Sequence, residues 1–374
     1  MTSKLKLENG ILKLLLSISY LLIILASIIL YKTSPANGYE LDIYSTIPNS
    51  FFISIYLSML ISIFIGAYIS FNFKRNMQLI YCLTILNIIL NNYLFQNIKF
   101  LRGYAFFDRG DMINHIFEIL KISSTNHLDS KNFYPATHIL GSSLYEVCGL
   151  EITKIDSYIS IPFSILYILS MYILAKKISS DNKFSLLVSL ASAIPVTGSY
   201  GIGFYPANIS TLLLPLTLYI IYLFSNIKNK ISSKICAVTI ILLYPLIHPL
   251  TSVILIGILL LLYAIESIYG TNMILSLTKK HYTHIKRINV EIIFILFITF
   301  ISWFSMFSVW ALKIREIYNI IFTDTVSPLS DTLELANKVQ FSIFDIFELM
   351  VKMQGGALIY ASIAIILAFV YLKQ

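Results

Sequence analysis

The chain has 374 residues, of which 57% are hydrophobic and 12% charged, with a mean hydropathy of +0.80 and a net charge of +8. A soluble domain carries about 25% charged residues, so this composition excludes a water-solvated globule and leaves an all-α, polytopic integral membrane protein. The positive charge does not point to nucleic acid, because the basic residues form short clusters between apolar runs, as membrane topology requires. Cys82, Cys148 and Cys236 are isolated, without C-x-x-C spacing, and read as small core residues.

The first apolar run covers residues 11–30 and follows Lys4, Lys6 and Lys13. About 20 residues cross the hydrocarbon, and no small-residue cleavage site follows, so this is a retained anchor rather than a signal peptide. Further runs fall near 50–73, 77–95, 156–175, 184–201, 206–225, 234–247, 250–268, 290–311 and 355–372, which makes about ten transmembrane helices. Two short runs flank Leu246-Ile247-His248-Pro249. Proline removes a backbone donor and disfavours helix just before it, so a tight turn or a broken helix is expected there.

Basic residues gather in alternate connections: Lys74 and Arg75, then Lys176, Lys177 and Lys183, then Lys228, Lys230 and Lys234, then Lys279, Lys280, Lys286 and Arg287. By the positive-inside rule both termini are cytoplasmic, and the connections 96–155 and 312–354 face outward across a plasma membrane. Three regions follow: a two-span segment at 1–76, a membrane core at 77–270 carrying the loop 96–155, and C-terminal spans at 271–374. The second outer region carries Asp324, Asp331, Glu334, Asp345 and Glu348 without a tight pattern, and reads as a solvated loop with one interfacial helix.

The loop 96–155 concentrates the polar chemistry. Asp108, Asp111, His115 and Glu118 are spaced 3, 4 and 3, which at about 100° per residue places them on one face of a helix over 107–121. Ile113, Ile116, Phe117 and Leu120 fall roughly opposite, the pattern of a helix lying in the membrane interface with its polar face toward water or a cavity. A second helix is expected from Pro135 to about Cys148, with proline at the first helical position and His138 in the first turn, where the dipole favours a neutral ring. Two carboxylates and an imidazole on one face suit a general base, with Asp108 or Asp111 taking a hydroxyl proton. They equally suit a divalent metal site, or are no more than a solvated polar face. Arg102, Arg109 and Lys121 would neutralise a phosphate or snorkel to the interface. His248, in an otherwise apolar stretch, is a costly group at membrane depth and therefore a candidate contact or a hydrogen-bonded structural residue. Gly198 to Pro206 reads as a close-packed turn, with Tyr200, Phe204 or Tyr205 as weaker sugar-stacking candidates.

Three stretches, FFDRGDMINH at 106–115, NFYPATHIL at 132–140 and YPLIHPLTSVIL at 244–255, resemble motifs of the C-type (GT-C) superfamily of polytopic membrane glycosyltransferases. The resemblance covers residues 100 to about 260. It implies a polyprenyl-phosphate-linked sugar as donor and transfer on the outer face, with Asp111 or Asp108 as catalytic base. His115, Glu118, His138, Tyr134, Arg102 and Arg109 would bind substrate, and His248 would contact the lipid-linked phosphate. No cofactor is certain; Mg or Mn held by Asp108, Asp111 and His115 is the candidate. The chain departs from the family pattern in placing the acidic loop after its third span. Two alternatives stay open: a non-catalytic membrane subunit recruiting a partner enzyme in glycan assembly, and a flippase or transporter for a lipid-linked substrate. The expected partners are the lipid-linked donor, membrane lipids and that partner subunit, with no nucleic acid.

Overall fold

The computed structural model describes residues 2–38, 40, 42–104, 111–179, 181–193, 204–226, 231–277, 290–307, 315 and 342–373. Most of these residues are helical, with no β-strand among them. In order the helices are α1 (Thr2–Lys32), α2 (Asn49–Phe71), α3 (Gln78–Gln96), the short α4 (Ile98–Leu101), α5 (Asp111–Thr125), α6 (Pro135–Cys148), α7 (Ile152–Ile178), α8 (Asn182–Ala191), α9 (Pro206–Asn226), α10 (Ile231–Ile247), α11 (Pro249–Leu277), α12 (Val290–Phe304) and α13 (Ile343–Lys373).

Five of these contain stretches long and apolar enough to cross a bilayer: Leu7–Lys32, Asn49–Phe71, Gln78–Gln96, Pro206–Phe224 and Phe344–Ile366. Three shorter apolar helices, Lys234–Ile247, Pro249–Ile265 and Val290–Phe304, accompany them. Part of the expected span 184–201 lies outside the described residues, as do Asp324, Asp331 and Glu334. Asp345 and Glu348 sit on α13, which runs unbroken for 31 residues.

The helices form two groups joined through α7. Helix α2 lies at the centre of the first, packed on α1, α3, α8 and α13 around Phe51, Ile55, Ile63 and Ile88. Helices α9 to α12 make the second, around Tyr244, Leu255, Leu259 and Leu296. Within the first group the usual apolar packing is interrupted by a buried polar clamp. Ser19 Oγ lies 2.8 Å from Ser58 Oγ and 3.0 Å from Ser62 Oγ, and donates to Asn87 Oδ1 at 2.9 Å. Ser62 Oγ and Asn91 Nδ2 donate to the same oxygen at 2.7 and 2.9 Å. Where no water reaches, such groups pair with one another or stay unsatisfied, so they hold three helices in one register.

The three cysteines are exposed rather than in the core. A thiol is small and apolar, and the outward face of a membrane helix accepts it as readily as the interior does.

Replacing Asn87 with leucine should cost about 1 kcal/mol, because it strips the acceptor shared by α1, α2 and α3. The thermal midpoint in detergent should drop for Asn87→Leu and stay put for Leu57→Ala on the exposed side of α2. Equal midpoints for both variants would show that the clamp contributes nothing.

Candidate functional site

Helices α5 and α6 pack on each other, α6 rests on α7 and α10, and the apolar cluster of α5 reaches Ile209 of α9. Pro135 opens α6, and Gly149 closes it in the left-handed conformation at φ 61°, which glycine adopts without steric cost. Helices α5 and α6 approach closely at Gly141, where a Cβ would stand 2.6 Å from Ile119 Cδ1 and 2.9 Å from a ring carbon of Phe204.

Met112, His115, Ile116 and Ile119 form the buried face of α5, while Ile113, Phe117 and Leu120 are exposed. This corrects the simple division into a wet polar face and a single apolar face. The apolar residues make two stripes, and the one containing Ile116 packs on protein together with Phe204, Ile155 and Ile159. His115 is carried inward with that stripe, and Asp111 stays exposed at the start of the helix.

His115 and His138 meet between the two helices, each at most 5% exposed, with His115 Nδ1 2.9 Å from His138 Nε2. His138 Nδ1 is 2.9 Å from Oδ1 of Asn132, and Asn132 Nδ2 donates to Glu118 Oε2 at 3.2 Å. At the other end, His115 Nε2 lies 3.3 Å from Asp111 Oδ2. Tyr134 presents its ring edge-on to both imidazoles at 5.6 and 6.2 Å, and stacks on His248 at 5.3 Å with planes 15° apart. Tyr205 approaches His115 at 6.1 Å.

His248 stands at the break between α10 and α11. Its Nδ1 accepts the Thr251 amide at 3.3 Å, so the imidazole caps the helix that Pro249 begins. Trp303 Nε1 donates to the Phe133 carbonyl at 3.3 Å, fixing the α12 end against the same turn.

Of the residues singled out in the sequence, Asp111, His115, Glu118, His138, Tyr134 and His248 therefore come together. Asp108 and Arg109, with Tyr200, lie outside the described residues. Arg102 does not join them. It is 1% exposed and bound to Glu40 and to the Ser34 carbonyl, while Tyr104 Oη also donates to Glu40 at 2.8 Å. A buried guanidinium needs a counter-charge, and Glu40 supplies it, so Arg102 ties the segment after α1 to the end of α4. Lys121 is likewise engaged, by Asp129. Asn132 was not foreseen, although an asparagine two residues before Tyr134 is the signature of an Asx turn. Its Oδ1 does accept the Tyr134 amide, at 3.0 Å.

For a divalent ion, Asp111 and His115 offer two adjacent donors. No group of three His, Cys, Asp or Glu able to hold a metal is found among the described residues. Among the described residues these two donors do not by themselves make a site for Mg or Mn.

Burial pushes the His138 imidazole down to about 3, and the neighbouring His115 adds to the shift. His115 is also lowered by burial, with Asp111 acting in the opposite direction. Both rings are thus neutral in the folded protein, whereas the unfolded chain takes up protons from its ordinary value of 6.5 downward. Below that value the unfolded state binds more protons, so the stability the His138 ring contributes is complete above 6.5 and is lost as pH falls toward about 3, with His115 acting in the same direction. The thermal midpoint should fall with acidification across this window, and His138→Gln should flatten the fall. An identical pH profile in His138→Gln would remove His138 as its source. The chain was compared with protein-family models, curated proteins and solved structures, and none of them matches it.

Proposed function

We propose that this chain is a membrane glycosyltransferase of the C-type kind. It moves a sugar from a polyprenyl-phosphate-linked donor to an acceptor hydroxyl on the outer face of the plasma membrane, with about ten spans and cytoplasmic termini. The observation that carries this reading is the exposed Asp111 carboxylate 3.3 Å from the buried His115, at the edge of a cluster that also holds His138, Tyr134 and His248. A carboxylate backed by a dry imidazole accepts a hydroxyl proton. The apolar helices α10 and α11 beside it suit a lipid-borne donor, and the exposed end of α5 suits a water-borne acceptor. In the reaction the acceptor oxygen bonds to the anomeric carbon as its proton passes to Asp111. The bond from that carbon to the donor phosphate breaks, and polyprenyl phosphate leaves.

One observation favours the second reading, a membrane subunit that positions a partner enzyme. Arg102 and Lys121, the expected counter-charges for a donor phosphate, are matched by Glu40 and Asp129. The purified protein, offered a panel of polyprenyl-phosphate sugars with and without chelator, should transfer sugar alone. Asp111→Asn should lower the rate about 100-fold or more while the thermal midpoint holds. Unchanged transfer in that variant removes Asp111 as base. Activity that appears only with a copurified second subunit supports the partner reading instead.

A further inference from the structure

The hydrogen-bond chain from Glu118 to Asp111 has a direction, and a single backbone group sets it. The Tyr134 N–H can only donate, and it donates to Asn132 Oδ1 at 3.0 Å. The opposite end of that amide is then Nδ2, which donates to Glu118 Oε2. Because Oδ1 can only accept, His138 Nδ1, 2.9 Å away, must carry its hydrogen. A neutral ring has one N–H, so His138 Nε2 is a bare lone pair, and His115 Nδ1 must donate to it across 2.9 Å. The same rule applied to His115 leaves Nε2 without a hydrogen. It faces Asp111 Oδ2 at 3.3 Å, and two acceptors at that separation repel unless a donor reaches both.

We infer that Asn132 and Glu118 are positioning residues that lock His115 in the Nδ1–H tautomer, so that His115 Nε2 and Asp111 Oδ2 together receive one hydroxyl hydrogen from the ligand. The groups facing this pair come from every neighbouring element. Asp111 is on α5 itself and His138 on α6. Tyr134 lies in the turn before α6, Tyr205 before α9, and His248 before α11. His138 cannot replace His115 as acceptor, since both its nitrogens are engaged. His248 cannot offer Nδ1, which the Thr251 amide occupies.

The identity of the ligand as a sugar acceptor rests on the proposed function; the tautomer does not. On that function, the acceptor O–H, held between His115 Nε2 and Asp111 Oδ2, breaks as its hydrogen passes to the Asp111 carboxylate. The freed oxygen pair forms the new bond to the anomeric carbon, and the electrons of the old bond leave with polyprenyl phosphate.

Histidine labelled with ¹⁵N reports the tautomer directly, because protonated and bare ring nitrogens resonate apart. In the full-length protein in detergent at about pH 8, where ordinary histidines are neutral, His115 and His138 should each appear as a single Nδ1–H species. Their signals are assigned by loss in His115→Gln and His138→Gln. Asn132→Leu should abolish the single Nδ1–H state of both rings, whereas Asn132→Asp combined with Glu118→Gln, which keeps the acceptor oxygen and moves the donor to residue 118, should retain it. Glu118→Leu should weaken it in the same direction. An Nε2–H species at His115 in the unaltered protein overturns the inference, and that spectrum decides the matter even if Asn132→Leu fails to fold. Failure of every donor in the transfer assay, with the tautomer intact, sinks the transferase reading and leaves this one standing. If transfer occurs, Asn132→Leu should reduce kcat with little change in acceptor KM, and Asn132→Asp combined with Glu118→Gln should recover most of it.

Discussion

Two imidazoles 2.9 Å apart, both sealed from solvent, hold the polar centre of this protein together. A contact of that kind works only if one ring donates and the other accepts, which requires the accepting ring to be uncharged and both to be oriented. Burial supplies the first condition by disfavouring the charged form. Asn132 supplies the second, because its carbonyl oxygen is pinned by a backbone amide that has no alternative role. The close approach of α5 and α6 at Gly141 brings the two rings within reach. Loss of any one of these conditions would leave the buried nitrogens unpaired at a cost of about 1–3 kcal/mol each.

Pairing of buried polar groups recurs elsewhere among the described residues. Inside the first helical group, the hydroxyls of Ser19, Ser58 and Ser62 and the Asn91 amide nitrogen gather around Asn87 Oδ1. At the end of α4 the buried Arg102 meets Glu40, and beside α6 the Asn132 amide meets Glu118. Asp111 differs in standing exposed at the border of a dry cluster. That combination, one wet carboxylate backed by dry neutral rings, sets α5 apart from an ordinary amphipathic helix.

Much of this was legible in advance. The spacing of Asp111, His115 and Glu118 placed three polar groups on one helix. Pro135 marked the first residue of α6, and the His-Pro pair at 248–249 marked the break between α10 and α11. The direction in which α5 turns was not legible, because its apolar residues form two stripes and either could face the protein. Arg102 misled for a related reason. A lone arginine in a loop reads as a free cation, and its partner Glu40 lies 62 residues away.

Composition and hydropathy alone determined that the chain is helical and apolar enough for a bilayer, since both are local properties that a window of residues contains. Local spacing likewise determined where the histidines and carboxylates fall along each helix. Which of them meet was decided only by the tertiary structure. The pairing of His115 with His138, the role of Asn132 and the stacking of Tyr134 on His248 each join different segments of chain. A hydrogen bond between segments depends on how helices dock, and docking is set by the summed packing of faces that no single stretch of sequence contains.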